Sequence, residues 1–162
     1  MPFVKVDGAS GRLVQKVAGS AAFARVGPKV VPPIDRVLHR LTSGRVLLSR
    51  ALLPGLVLTT TGRKSGLPRE SPLMCVPEPE GTWLVVGSNF GRDDHPAWTG
   101  NLLATPEARI SYDREDVPVV ATLLEGDERD RAWTRATAIW PTFDRYAERA
   151  DRTLRVFRLR RA

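Results

Sequence analysis

An α+β, mainly β fold is what this sequence predicts: a small antiparallel barrel of about six strands, closed or partly open and decorated by helices. Three observations carry that expectation. Six short runs rich in β-branched and apolar residues follow one another from residue 55 onward. Several are joined by segments of hairpin length, which makes neighbouring strands run antiparallel. Helical periodicities stand before the first run and between later ones. The 162 residues make one domain, long enough to bury a core and hold a pocket without disulfides or metal.

Two helical segments come first. From Arg12 to about Arg25, Leu13, Val17, Ala21 and Ala24 recur at helical spacing, with Arg12 and Lys16 off the stripe. From Pro33 to Leu41, Ile34, Val37, Leu38 and Leu41 repeat the pattern; Pro33 suits the first turn and Gly44 the end. Gly27-Pro28 and Pro32-Pro33 punctuate the two. Residues 1–45 therefore read as a basic helical leader and residues 46–162 as the barrel, within a single domain.

The grammar changes at Gly55. Leu56 to Thr61 is β-branched and stops at Gly62, which predicts a strand. Arg69 to Val76 is a second strand, followed by Pro77-Glu78-Pro79-Glu80-Gly81 as a hairpin loop. Trp83 to Gly87, almost wholly apolar, is a third strand, expected to be buried on both faces. Pro96 to Leu103 is a short helix, with Pro96 in its first turn and Asp94 or His95 as cap. Ala108 to Asp113 and Val117 to Leu124 form a second strand pair. Asp127 to Trp140 is a helix with acidic residues in its first turn and Trp133, Ala136, Ile139 and Trp140 along one stripe. Arg155 to Leu159 alternates basic and apolar residues and reads as a one-sided closing strand.

Charge is unevenly placed. Residues 1–50 carry nine basic side chains against Asp7 and Asp35, a surplus that equals the whole formal charge of +7. Such a block suits an anionic partner or is a solvated helix face. A nucleic-acid module would also need base-contacting side chains, and of Asn and Gln the first 50 residues hold only Gln15. No apolar stretch is long enough to span a bilayer, since Ser49, Arg50 and Pro54 interrupt the longest candidate. Met1 to Gly11 lacks the apolar run of a signal peptide, so a cytoplasmic protein is expected.

Several site chemistries drop out. His39 and His95 stand far apart and Cys75 is the only cysteine, so no zinc ligand set forms and no metal is expected. Gly62-Arg63-Lys64-Ser65-Gly66 lacks the leading glycine of a P-loop, and no Gly-x-Gly-x-x-Gly follows a strand. Cys75, in an apolar strand, reads as a buried hydrophobe rather than a nucleophile.

Three clusters remain. The turn Thr60 to Arg69 packs two glycines, hydroxyls and the cations Arg63, Lys64 and Arg69 into ten positions. Glycines let backbone amides approach a ligand, and the cations supply charge-assisted bonds to phosphate or carboxylate. Taken alone, it is equally a solvated hairpin turn. Gly87-Ser88-Asn89-Phe90-Gly91, followed by a helix with Trp98 and Asn101 at i, i+3, suits the lining of a planar heterocycle or a tryptophan-anchored core helix. Trp140, Phe143 and Tyr146 either cap a pocket or fill the core.

In their order and spacing these clusters resemble the deazaflavin-dependent nitroreductase family, split-β-barrel oxidoreductases that use coenzyme F420. The resemblance rests on Leu58 to Gly66 with Pro68-Arg69 and Pro72-Leu73, then Ser88-Asn89 and Gly91, then His95-Pro96-Ala97-Trp98 with Asn101-Leu102. It runs from about Leu56 to the last strand. It implies an FMN-binding split-barrel-like fold with reduced F420 as coenzyme. Arg63, Lys64 and Ser65 would hold the phosphate and oligoglutamate tail, and Arg69 another anionic group. Pro72, Leu73 and Met74 would run along the ring, Val86, Gly87, Ser88 and Asn89 would meet its edge, and Ala97, Trp98 and Asn101 would hold the opposite side. Trp140, Phe143 and Tyr146 would line the substrate pocket, where only Tyr146 retains the family's phenol. Ser88 is the candidate to hydrogen-bond the acceptor.

The implied activity is hydride transfer to an electron-poor organic acceptor: a quinone, enone or nitro compound. The alternatives are a deazaflavin carrier without turnover and an FMN-binding split-barrel protein. Other expected contacts are limited to weak peripheral association with the inner face of a membrane through residues 1–50, with no nucleic acid.

Overall fold

The computed structural model describes residues 54–162. The two predicted leader helices and the leader–barrel boundary at residue 45 lie outside the described residues. Six strands form: β1 (Gly55–Thr61), β2 (Pro68–Glu78), β3 (Thr82–Val86), β4 (Glu107–Tyr112), β5 (Glu115–Leu123) and β6 (Val156–Arg161). They close into an antiparallel barrel in the order β1-β2-β3-β6-β5-β4, with Val57 opposite Ser111 completing the ring. Among the described residues three α-helices decorate it: α1 (Ala97–Ala104), α2 (Gly126–Ile139) and α3 (Thr142–Arg149).

The side chains sort into two cores because strand residues alternate between faces. Leu56, Leu58, Cys75, Trp83, Val85, Ile110, Val117, Val119, Phe157 and Leu159 fill the barrel. Leu84, Val86 and Val156 point outward into a second core, under Ala132 and Ala136 of α2 and Phe143 and Tyr146 of α3. Strand β3 is thus buried on both faces, as its apolar run predicts. Cys75, 1% exposed, is a core side chain.

Helix α1 plugs one end of the barrel. Trp98 and Leu102 enter the inner core, where the Trp98 ring packs 5.8 Å from that of Phe157. Helix α2 lies on the outside and is fastened by charge. Glu78, with its side chain only 7% exposed, pairs with Arg135 of α2 and, at 3.1 Å, with Arg158 of β6.

Four local expectations are corrected. The helix at residue 97 has Pro96 at its N-cap and no side-chain cap, so neither Asp94 nor His95 serves. Strand β2 runs on to Glu78, leaving a three-residue turn in which Glu80 (φ 61) and Gly81 (φ 66) are left-handed. The β4–β5 hairpin turns on Asp113 and Arg114, both at positive φ without a glycine, so β5 begins at Glu115 rather than Val117. Strand β6 is one-sided only at its end, because its first residue, Val156, is buried against the helices. Helix α3 and the 3-10 turn Asn89–Gly91 are additions.

Candidate coenzyme site at the α1 end of the barrel

The turn between β1 and β2 is built by its own backbone. Gly62 N donates to Leu67 O (2.8 Å), and Gly66 N donates to Gly62 O (2.7 Å). A Cβ on Gly62 would sit 2.6 Å from Ser65 Oγ and 3.1 Å from Leu67 O, so the serine would have to turn aside, and Gly66 holds φ +67, a conformation that favours glycine.

Asn101 then locks this turn onto α1. Its Oδ1 accepts from Arg63 N (3.1 Å) and Arg63 Nη1 (3.4 Å), while its Nδ2 donates to the buried Thr60 hydroxyl (3.0 Å). Arg63 Nη1 also donates to Ala97 O (3.1 Å). Its guanidinium lies over Gly100, where a Cβ would stand 2.8 Å from Nη1. The first and second sequence clusters therefore meet in space.

Meeting changes their roles. Arg63 is committed to α1. Asn101 and Trp98, 4% and 6% exposed, are buried supports rather than open walls, and Ala97 contributes its carbonyl to Arg63. Lys64 and Arg69 remain exposed, and neither pairs with a carboxylate among the described residues. Arg69 Nη2 donates to Ser65 Oγ (3.4 Å), a neutral partner. Two cations without carboxylate partners among the described residues, beside a glycine turn, suit an anionic group.

On β2, Pro72, Leu73 and Met74 are half-buried; Leu73 leans on the inner core and Met74 on the outer one. Val86 and Gly87 are buried, and Gly87 is pressed so closely on α1 that a Cβ would lie 2.7 Å from Thr99 Cγ2. Ser88 and Asn89 are half-buried on the loop that follows. Trp140, Phe143 and Tyr146 are 5%, 4% and 3% exposed within the outer core, so they fill space there and form no open wall. Burial pushes the Tyr146 phenol up to about 12, against the pull of Arg149 and a bond to Trp140.

Sequence reasoning missed Arg152. It donates to the carbonyls of Gly87 (3.1 Å), Ser88 (3.0 Å) and Arg92 (3.0 Å) and lies 3.0 Å from His95 Nδ1. Arginine has only donors, so His95 accepts through Nδ1 and is neutral. Burial holds the His95 pKa below the usual histidine range, Arg155 and Arg152 push it further down, and Asp94 opposes them. No local pattern marks Arg152: its partners lie some sixty residues upstream.

A cavity of about 390 Å³ lies elsewhere, between Leu123–Gly126, Arg129, His95 and Thr153–Arg155. It and the cationic turn approach α1 separately: Arg63 reaches Ala97 and Asn101, whereas Arg155 reaches Thr99 (3.1 Å). Among the described residues no group of three His, Cys, Asp or Glu side chains could hold a metal, and no helix is long and apolar enough to cross a membrane.

A closed six-strand antiparallel barrel with helix α1 at the end that carries a cationic glycine turn is a split-barrel-like architecture. Comparison narrows the class. The family model described as F420H(2)-dependent quinone reductase matches residues 36–160, and the chain belongs to that family. It is similar to the F420H(2)-dependent quinone reductase of Mycobacterium tuberculosis (strain H37Rv), with 29% identity over 119 residues, 73% of this chain and 79% of the relative. Among solved structures, an F420-H2 dependent reductase (FDR-A) has 36% identity and a TM-score of 0.61, covering 65% of this chain and 93% of its own. A structure described as a domain-swapped dimer has 35% identity and a TM-score of 0.64, covering 78% and 93%. The protein is thus an oxidoreductase whose coenzyme is reduced F420. That membership displaces both the FMN-binding and the non-catalytic carrier alternatives.

Proposed function

We propose that this chain binds reduced F420 with the acidic tail on the Gly62–Arg69 turn and the ring toward β2 and the Val86–Asn89 segment, and reduces a quinone. One observation carries the placement: Asn101 fixes the turn against α1 and leaves Lys64 and Arg69 exposed without carboxylate partners among the described residues. The donor set suits the coenzyme, since an anionic tail needs cations and a flat ring needs a strand edge with backbone groups.

When bound, the coenzyme supplies the hydride, and water supplies the proton that completes the quinol. The chain's residues bind and orient. Lys64, Ser65 and Arg69 provide donors for the tail, Arg63 fixes the turn's backbone, and Pro72, Leu73 and Met74 offer a half-buried apolar edge. Ser88, half-buried on the loop after β3, is the candidate donor to the acceptor's oxygen.

Lys64→Ala is expected to weaken F420 binding roughly ten-fold or more with the fold intact, as befits loss of a charge-assisted contact. Fluorescence titration measures it. Equal affinity for the wild type and a Lys64/Arg69 double alanine variant would remove the tail from this turn.

Enones and nitro compounds are secondary acceptors in this reading. With Trp140 and Phe143 in the core and the Tyr146 ring buried beside them, this segment has no exposed phenol to engage polar oxygens. Apolar quinones are therefore expected to exceed small polar nitroheterocycles in kcat/KM by about ten-fold, roughly the worth of one neutral hydrogen bond. A panel favouring the polar compounds would contradict this. The basic residues 1–50 support a weak, salt-sensitive contact with an anionic surface, which vesicle co-sedimentation at low and high salt would test.

A further inference from the structure

The segment Gly87–His95 leaves β3 and enters α1. Within it Asn89, Phe90 and Gly91 hold successive left-handed φ values of 45, 57 and 75°. Side-chain-bearing residues adopt such a run only where their surroundings enforce it. Here one stretch at and beyond the end of α3 does so.

Arg152 grips the carbonyls of Gly87, Ser88 and Arg92 at 3.0–3.1 Å, and Arg149 Nη1 donates to Phe90 O (3.3 Å). Asp93 Oδ1 accepts from Asp151 N (3.1 Å). Gly91 rests on the backbone of Tyr146, where a Cβ would come within 3.0 Å of Cα.

The grip has a directional consequence. In a trans peptide the carbonyl and the following N–H point opposite ways. With Gly87 O and Ser88 O both drawn to Arg152, the N–H groups of Ser88 and Asn89 point away from it. Neither finds an acceptor among the described residues. They form two adjacent, fixed donors.

Resting on the coenzyme placement above, we infer that Arg152 is a positioning residue: it aims the Ser88 and Asn89 amides at an acceptor oxygen of bound F420. It touches no reacting atom itself.

Arg152→Lys keeps the charge but lacks the planar fork needed to hold three carbonyls. The expected result is a ten-fold or greater loss of F420 affinity by fluorescence titration. Amide exchange at Ser88–Arg92 should also speed up at least ten-fold in coenzyme-free protein, with circular dichroism unchanged. Exchange and affinity both within two-fold of wild type would overturn the inference. So would faster exchange with unchanged affinity, since the loop would then be held but not used.

Lys64→Ala separates the two readings. If it weakens binding and Arg152→Lys does not, the positioning role fails and the coenzyme placement stands; if neither variant does, both fail. Should Arg152→Lys not fold, exchange in the wild type decides. Slowing at Ser88 and Asn89 on adding F420 supports the inference, and unchanged rates overturn it.

Discussion

Glu78→Ala is expected to lower the unfolding free energy by about 3 kcal/mol, the lower end of what removing one partner from a buried ion pair costs. Glu78 is nearly buried and holds two arginines, Arg135 of α2 and Arg158 of β6. The arginines fare differently once it is gone. Arg135, with 55% of its side chain exposed, can turn into water, whereas Arg158, 16% exposed, keeps Glu128 at 3.6 Å as its one carboxylate among the described residues. The cost therefore comes chiefly from Arg158. Urea denaturation should show a lower midpoint with an unchanged slope. Substituting both Glu78 and Arg158 by apolar residues of similar size should recover most of the loss, because no uncompensated charge stays buried. A single variant within 0.5 kcal/mol of wild type would mean that α2 is held by its apolar stripe alone, a threshold set by ordinary surface substitutions at about ±0.5 kcal/mol.

Asn101→Ala should remove about 2–3 kcal/mol of stability, since buried polar groups left unpaired cost roughly 1–3 kcal/mol each. The Thr60 hydroxyl, 2% exposed, loses its donor, and Arg63 N loses its acceptor. The Arg63 amide lies on an exposed turn and regains part of its loss from water. Function should suffer as well. Without this amide, Arg63 Nη1 on Ala97 O is the one hydrogen bond left between the cationic turn and α1 among the described residues, so F420 affinity should fall with stability. Asn101→Asp, which keeps Oδ1 for Arg63, should be milder. A loss below about 1 kcal/mol with unchanged coenzyme affinity would show that the turn is rigid without α1, because even one unpaired buried group is worth that much.

The elements were largely legible because their signals are local. Leu56–Thr61, Trp83–Val86 and the helix at Asp127 are written in β-branched runs, apolar continuity and acidic first-turn residues, all read within a dozen positions. Helix α3 was legible in principle: Pro141 precedes it, Asp144 lies in its first turn and Arg149 in its last. Its three aromatics read either as a pocket cap or as core, and all three are buried in the outer core. The Asp113–Arg114 turn carries no glycine to announce its positive φ values, so the sequence pattern places the start of the next strand two residues late.

The candidate site divides along the same line. The cations Arg63, Lys64 and Arg69, the glycines of their turn and the Ser88-Asn89 pair are visible in the sequence, because glycines and cations packed into a few positions mark a turn locally. Their division of labour is not. Only the tertiary structure commits Arg63 and Asn101 to the α1 junction, leaves Lys64 and Arg69 exposed, and brings Arg152 across some sixty residues onto the Ser88 loop. The physical reason is that a hydrogen bond depends on distance in space. Barrel closure sets those distances when β6 pairs with β3 and β5, and no window along the chain contains them.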